Sequence, residues 1–297
     1  MRLKKMKRLV VIIAVVLSVA SCTDSNRQYV RKAVRIMDKQ GLFAEGPSWA
    51  SAKTKALSSK PVSLKEAQTV VRKAAFVAGG KHSGLKLSGA VREDAASEWP
   101  APSVTMAEGG IPVIVLPPFS GNHDEGVKYA NAVLSAVPDG IPGVVIDLRG
   151  NTGGNMYPMI AAVHRFLPDD NETLRFRTRK STQWIPLSYA VRVAGVEQHT
   201  RIECPVAILT DDHTASSGEA TLICFRGLDY VRVFGGATAG YASANQPFPL
   251  PGGDRLVLTT GCDVARTGEV FCDDPIEPDA VTETPLKDAL AWINDKG

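Results

Sequence analysis

The sequence predicts an α/β protein in which helices cover a largely parallel sheet and a small helical bundle precedes it. Two observations carry this prediction. From residue 111 onward, apolar segments with strand spacing alternate with segments of helical spacing. Residues 26–75 instead have helical spacing throughout. The length of 297 residues accommodates one such core with an appendage.

The predicted elements follow in chain order. A helix that carries Tyr29 and Met37 on one face precedes a second helix, which begins where Ser63 and Glu66 have the spacing of a capping box. Pro and Gly punctuate residues 84–110 and predict a loop. The alternating part predicts strands over 111–116, 143–148, 205–210, 231–234 and 255–260, helices over 124–137, 155–166 and 220–225, and a last helix from Thr284–Pro285.

The amino terminus predicts export. Five basic residues precede an apolar run over 9–20, which is shorter than the roughly 20 residues that span a bilayer. The following Ser21–Cys22 resembles a lipoprotein cleavage site that would leave Cys22 acylated, and an ordinary secreted protein is the alternative. We therefore expect an envelope lipoprotein, anchored through Cys22 at the periplasmic face of the outer or inner membrane or at the cell surface.

The domain organisation follows from these patterns. We predict a lipoprotein signal peptide over 1–21, a helical bundle over 22–78 and a core over 79–297. Within the core, residues 168–200 are polar and interrupt the alternation, so they predict a cap over a cleft.

Charge and motifs narrow the function. Removing the five basic residues of the signal changes the formal net charge from +3 to about −2, so nucleic acid is not an expected partner, whereas a peptide or protein substrate is. The chain has no His-Glu-x-x-His helix and no zinc-like Cys/His spacing, and its glycine-rich turns lack the lysine of a phosphate-binding loop. We predict neither a metal nor a cofactor.

Four cysteines follow the predicted lipidation residue Cys22, and export makes disulfides reasonable. Cys262 and Cys272 flank a predicted hairpin with its turn at 266–269, which favours their pairing. Cys204 and Cys224 either form a second bridge or remain small core residues.

Ser216 is the candidate nucleophile. It lies where the strand 205–210 leads into a helix, and the free amides and dipole at a helix start stabilise a developing oxyanion. Ser216 and Glu219 also spell a capping box, which by itself implies no chemistry. A second strand runs into the glycine-rich turn 150–154 and offers further amides, which favours a catalytic interpretation.

Three segments carry a family resemblance: 147–154, 214–219 and 235–240. Together they resemble the core of the C-terminal processing (tail-specific) serine peptidases, over about residues 75 to 297. The resemblance implies a crotonase/ClpP-like α/β core without a PDZ domain. It also implies a set of site residues, with Ser216 as nucleophile and the amides of Ser217 and of Gly153 or Gly154 as oxyanion donors.

The chain departs from that family at its lysine, because position 241 is Tyr241 and no lysine occurs between Lys180 and Lys287. A histidine is the alternative base, and its ordinary pKa of about 6.5 suits the task. The candidates are His82, His123, His164, His199 and His213.

The histidine at position 82 is favoured by a second resemblance. The Lys-His-Ser sequence at 81–83 resembles the nisin resistance proteases, the branch that pairs a histidine with the Thr-Ala-Ser-Ser serine. This implies His82 as the base. By analogy with tricorn-type relatives, Ser83 and an acid such as Asp274 or Glu277 support the imidazole.

The resulting hypothesis is an envelope serine peptidase that hydrolyses peptide bonds by a Ser–His dyad, in C-terminal processing or in the degradation of antimicrobial peptides. A catalytically inactive relative that binds peptides or apolar ligands is one alternative. A hydrolase of similar topology that acts on a non-peptide ester is another.

Overall fold

The computed structural model describes residues 24–89 and 99–296, which fall into two compact units. A helical unit combines residues 24–89 with 245–260, and a core unit contains the remaining described residues. The signal peptide predicted over 1–21 and the predicted lipidation residue Cys22 lie outside the described residues. Within the described ranges, no helix combines the length and apolar character needed to cross a membrane.

The helical unit consists of three helices and short strands. Its elements are α1 (24–40), α2 (Gly46–Ser58), α3 (Leu64–Gly79) and β1 (Gly84–Lys86), which pairs antiparallel with residues 255–257 at the start of β10 (Arg255–Val264). The predicted start of α3 is confirmed, since the Ser63 side chain accepts the Glu66 N–H at 3.2 Å.

A buried carboxylate joins the helices to the second segment of this unit. Asp254 accepts hydrogen bonds from the Tyr29 hydroxyl at 2.7 Å, the Gln68 amide at 2.8 Å and the Ser88 N–H at 2.9 Å. Burial acts to raise the pKa of Asp254, but these donors outweigh it and hold the pKa below its ordinary value.

The unit boundary differs from the predicted core over 79–297. Residues 245–260 cluster with the N-terminal helices because Leu250, Leu256 and Leu258 are buried in the apolar core of the helical unit. The segment therefore returns to the helical unit late in the chain, which periodicity along the sequence does not reveal.

The core unit is built on a six-stranded sheet. Its strands are β2 (Ser103–Met106), β3 (Pro112–Val115), β4 (Val144–Asp147), β7 (Val206–Thr210), β8 (Val231–Gly235) and β12 (Ala280–Val281), in the order β12-β8-β7-β4-β3-β2. All neighbours are parallel except the edge strand β2, which is antiparallel to β3. The predicted α/β alternation is thus confirmed.

Helices cover both faces of this sheet. They are α4 (His123–Leu134), α5 (Met156–Ala162), α7 (Ser217–Phe225) and α8 (Pro285–Asn294). The strand β4 illustrates the arrangement, since Val144 and Ile146 belong to the large apolar cluster with α5 and α7, while Val145 belongs to the cluster with α8. Successive residues of a strand point to opposite faces, so a fully apolar strand is buried on both.

Several elements were not predicted. The expected loop over 84–110 contains β1 and β2, and the expected cap over 168–200 contains the hairpin β5 (Leu174–Thr178) and β6 (Thr182–Ile185) followed by α6 (Leu187–Ala194). A further strand, β9 (Ser243–Pro249), was also missed. These strands carry exposed polar residues, so they lack a visible apolar period, and their pairing with partners distant in sequence stabilises them.

The second half of β10 forms the predicted hairpin with β11 (Val270–Phe271), and Cys262 and Cys272 are joined by a disulfide. Cys204 and Cys224 are buried free thiols.

Candidate active site

Ser216 occupies a strained elbow between β7 and α7. Its backbone angles are φ 53° and ψ −114°, and it is the single non-glycine residue with positive φ among the described residues. An L-residue reaches this conformation only when the surrounding structure enforces it, and such strain is concentrated at functional sites. The side chain is half-buried, directly before the first turn of α7.

The glycine-rich turn after β4 is tied to this elbow through Asn151. The side chain of this fully buried residue donates to the Leu116 carbonyl at 2.8 Å and accepts the Gly153 N–H at 2.9 Å. Its main-chain carbonyl accepts the N–H of Ala215, the residue before the serine, at 2.8 Å. One asparagine therefore sets the separation of the two turns.

Two glycines allow the turns to approach each other. A Cβ on Gly153, which has φ 97°, would lie 2.7 Å from the Ser216 Cβ. A Cβ on Gly154, at φ 129°, would lie 1.8 Å from the Phe119 carbonyl oxygen. No side chain fits at either position, so both glycines are required by the close approach.

The structure distinguishes the two predicted glycine donors. The Gly153 N–H is engaged by Asn151, whereas the bridge between Phe119 and Gly154 uses the Phe119 and Asn155 amides and leaves the Gly154 N–H unused. Within the described ranges, the N–H groups of Gly154 and Ser217 have no acceptor. The Ser217 hydroxyl donates to the Gly154 carbonyl at 2.8 Å, which joins the two residues. Two free amides beside a serine form an arrangement that can stabilise an oxyanion.

Glu219 organises the elbow from beneath. It is fully buried, and its Oε2 accepts the N–H groups of Ser216 and Tyr241, both at 2.8 Å. Its Oε1 accepts the Thr238 hydroxyl and the Gly240 N–H. Burial raises the pKa of Glu219, and these donors oppose that shift. The predicted capping pair is therefore part of a larger network that also holds the turn at 238–241.

A second buried carboxyl interacts electrostatically with Glu219. Asp263 in β10 is 2% exposed, and burial together with the charge of Glu219 raises its pKa well above the ordinary value. The state in which Glu219 and Asp263 are both ionised is therefore unfavourable.

Asp211 supports the loop between β7 and Ser216. Its carboxylate accepts the N–H groups of Gly150 and His213, both at 3.0 Å, and of Thr214 at 2.9 Å. Asp211, Asp212 and His213 form the one group of potential metal ligands among the residues described, with ligand atoms within 4.8 Å of one another. Since amides already occupy the Asp211 carboxylate, its role here is to shape the loop.

The predicted base belongs to the helical unit. Burial, and to a lesser extent the neighbouring charge of Lys81, lowers the pKa of His82 from 6.5 to about 4. The His82 carbonyl accepts the Asn245 side-chain amide at 3.1 Å. The Ser83 hydroxyl accepts the Thr259 N–H at 2.9 Å, so this predicted supporting residue holds the segment to β10.

The other histidines lie in the core unit. His123 starts α4 and its ring faces Gly195, while the exposed His213 contacts Asp212 at 2.7 Å. His164 is buried, with Nδ1 bonded to the Ala161 carbonyl and Nε2 accepting the His199 N–H.

The two predicted supporting acids, Asp274 and Glu277, are exposed residues of the core unit. They flank a segment that contacts the Glu219 network, because the Ile276 N–H donates to the Thr238 hydroxyl at 2.9 Å.

Sequence reasoning missed two residues that shape the site. Asn151 was passed over, although an asparagine inside a glycine-rich turn is typical of side-chain bonds to nearby backbone. Glu219 was recognised only as a capping residue, because its contacts with 238–241 depend on the fold.

A strained serine beside two free amides at a strand-to-helix turn is typical of serine hydrolases. Comparisons with known proteins give the particular class, a serine-type peptidase. Residues 110–282 match Peptidase family S41, and the chain belongs to this family. The predicted resemblance and the predicted enzyme class are therefore confirmed.

Individual relatives extend the comparison. The chain is 32% identical over 283 residues to the nisin-resistance protein of Lactococcus lactis, an alignment that covers 92% of this chain and 88% of that protein. It is 23% identical over 186 residues to a probable CtpA-like serine protease of Staphylococcus aureus, covering 63% of this chain and 36% of that one.

Solved structures share the fold. A lipoprotein from Streptococcus agalactiae superposes with a TM-score of 0.83 at 31% identity, covering 92% of this chain and 97% of that one. The photosystem II D1 C-terminal processing protease has a TM-score of 0.63 at 14% identity, covering 87% and 93%.

A matched pair of glycine substitutions tests the turn. Gly150→Ala and Gly154→Ala both place an alanine at positive φ in one turn, but a Cβ on Gly150 meets nothing within 4 Å. We expect Gly150→Ala to cost about 1 kcal/mol in urea unfolding and to retain labelling by a fluorophosphonate. Gly154→Ala displaces the free amide, so its labelling rate should fall about 10²-fold or more. Equal labelling of the two variants would contradict this account of the turn.

The Glu219→Gln variant tests the buried network. A glutamine has one oxygen in place of two, so its NH₂ group must face donors that a Glu219 oxygen now accepts. At best, this leaves one main-chain N–H unsatisfied. We expect a loss of about 3 kcal/mol in urea unfolding and slower fluorophosphonate labelling. The control is Glu283→Gln at an exposed position, which should stay within about 0.5 kcal/mol of the parent. A Glu219→Gln variant as stable and as reactive as this control would rule out the organising role.

Proposed function

We propose that the chain is an envelope-associated serine peptidase in which Ser216 is the nucleophile and His82 the base. The observation that most supports this proposal is the strained elbow of Ser216 beside two free amides. A strained serine exposed at a strand-to-helix turn is a recurrent way to present a nucleophile.

The reaction proceeds by acyl transfer. The Ser216 hydroxyl attacks the scissile carbonyl while His82 takes its proton, and the amides of Ser217 and Gly154 bind the resulting oxyanion. Collapse of the intermediate breaks the C–N bond as His82 returns the proton to the leaving amine. Water then repeats these steps on the acyl-enzyme and releases the second product together with the free serine.

His82 is proposed as the base because the lysine that serves this role in the wider family is absent. The position that carries lysine in the wider family is Tyr241, and the neighbouring core offers no lysine between residues 181 and 286. With a pKa of about 4, His82 is neutral at pH 7 and available to accept a proton. Burial thus keeps the base in its working form, at some cost in basicity.

The substrate class comes from the relatives. The Lactococcus relative is named a nisin-resistance protein, and we infer that this chain cleaves antimicrobial or other envelope peptides, by C-terminal processing or degradation. A mature charge of about −2 presents no general repulsion to cationic peptides.

Two further features belong to this proposal. Anchoring through Cys22 matches a structural relative that is described as a lipoprotein. We also infer that residues 168–200 cap the cleft, since Tyr189 of α6 contacts Tyr157, three residues after Gly154, with ring centroids 6.1 Å apart. The supporting roles of Ser83, Asp274 and Glu277 remain proposals.

An inactive binding relative is the second candidate, and Tyr241 in place of the lysine favours it. Chemistry at Ser216 separates the two, because a binding protein has no need of a reactive serine.

Substitution of the dyad tests the proposal. Ser216→Ala should abolish fluorophosphonate labelling and peptide hydrolysis, and His82→Ala should lower both by about 10²–10⁴-fold with the fold intact by circular dichroism. His213→Ala, at an exposed histidine of the loop before Ser216, is the matched control and should retain activity. Labelling that survives Ser216→Ala, or full activity of His82→Ala, would refute the dyad.

The pH dependence of labelling tests the base separately. Protonated His82 cannot accept the serine proton, so the labelling rate should be constant near neutrality and fall as pH drops through about 4. Because Lys81 contributes to the low pKa, Lys81→Gln should move this limb to higher pH. An acid limb near 6.5 that Lys81→Gln leaves unmoved would show that His82 does not carry it.

A further inference from the structure

An aromatic cavity adjoins the glycine-rich turn in the core unit. It has a volume of about 230 Å³ and is walled by Trp99, Pro100, Pro102, Phe119 and Tyr129. Sites for whole small-molecule ligands usually measure about 300–1,000 Å³, so this space is suited to a single side chain.

The wall of the cavity is made of packed rings. The rings of Trp99 and Phe119 meet edge to face at 6.2 Å, and those of Phe119 and Tyr129 lie 5.0 Å apart. The Tyr129 hydroxyl donates to the Pro117 carbonyl at 2.7 Å, which satisfies its polar end within the protein and leaves the ring as apolar surface. A large apolar guest therefore loses no hydrogen bond by entering.

Phe119 connects the cavity to the site. Its ring lines the cavity, while its main-chain N–H donates to the Gly153 carbonyl at 3.2 Å and its carbonyl accepts the Asn155 N–H at 2.6 Å. Gly154, which carries the free amide, lies between these two bonds. Phe119 therefore lies between the cavity and the Gly154 amide, which is proposed to bind the oxyanion formed from the scissile carbonyl.

The mouth of the cavity is polar. Glu125 and Lys128 lie one turn apart on α4 at its rim. The Glu125 carboxylate is held by the Asn122 N–H at 2.7 Å. An aromatic interior with a charged rim suits an apolar side chain that projects from a solvated peptide backbone.

We infer that this cavity is a specificity pocket, which receives a large apolar side chain of the peptide substrate next to the scissile bond. The inference rests on the proposed peptidase function and specifies its substrate class. Trp99 and Phe119 are then the residues that determine selectivity, without a part in the chemical steps.

Two variants change the pocket in opposite ways. Trp99→Ala removes one aromatic wall, and Ala101→Trp adds bulk at an exposed position that lines the same cavity. Phe76→Ala, at an exposed aromatic residue of α3, is the matched control. A small ethoxy fluorophosphonate reports Ser216 reactivity in each variant without reaching the pocket.

The test profiles cleavage of a synthetic peptide library, randomised at each position, by the full chain. We expect cleavage sites of the parent to favour Phe, Tyr, Leu or Met at one position beside the scissile bond. Trp99→Ala and Ala101→Trp should each reduce that preference, measured as a kcat/KM ratio over Ala, by about 10-fold or more. Their labelling rates should stay within about twofold of the parent, and Phe76→Ala should leave both measurements unchanged.

Other outcomes overturn the inference. A parent that is labelled and cleaves peptides without this preference, or a preference that both pocket variants retain, shows that the cavity does not select substrates. A parent that is neither labelled nor able to cleave any library peptide overturns the proposed function, and this inference falls with it.

Discussion

A buried carboxylate that accepts four hydrogen bonds is the constraint on which the site depends. Glu219 binds the N–H of Ser216 with the same oxygen that binds the N–H of Tyr241, so one side chain couples the Ser216 elbow to the turn at 238–241. Placing a charge in the interior is unfavourable without such donors. The network therefore stabilises the strained serine conformation. Loss of any one donor would leave the buried carboxylate with fewer hydrogen bonds and weaken that stabilisation.

The glycine-rich turn after β4 is also held by one buried side chain, the uncharged Asn151. Asn151 joins the glycine-rich turn to the β3 end and to the residue before Ser216, and two glycines remove the side chains that would keep the turns apart. Both turns follow central strands of a parallel sheet, where the carboxyl ends of neighbouring strands present their loops at one edge. The sheet thus fixes the positions of the two loops that form the candidate site.

Prediction from sequence succeeded where local physics decides. The strands β4 and β7 are buried on both faces and appear as short, mainly apolar segments, and the loop that carries Ser216 follows β7. The glycines at 153 and 154 were recognised as a turn, although the choice of amide between them depended on the Asn151 side chain. The edge strand β2 and the β5–β6 hairpin were missed, because exposed strands lack an apolar period and are stabilised by pairing with distant segments.

The sequence by itself determined the α/β class, the family resemblance, the candidate nucleophile and the loss of the usual lysine, since each is written in short segments or in a single residue. Only the tertiary structure decided that residues 245–260 join the N-terminal helices, that Gly154 rather than Gly153 keeps a free amide, and that Glu219 ties Ser216 to Tyr241. These facts depend on hydrogen bonds and apolar contacts between residues far apart in the chain. No local pattern encodes them, because a buried polar group takes its partners from whatever the fold places beside it.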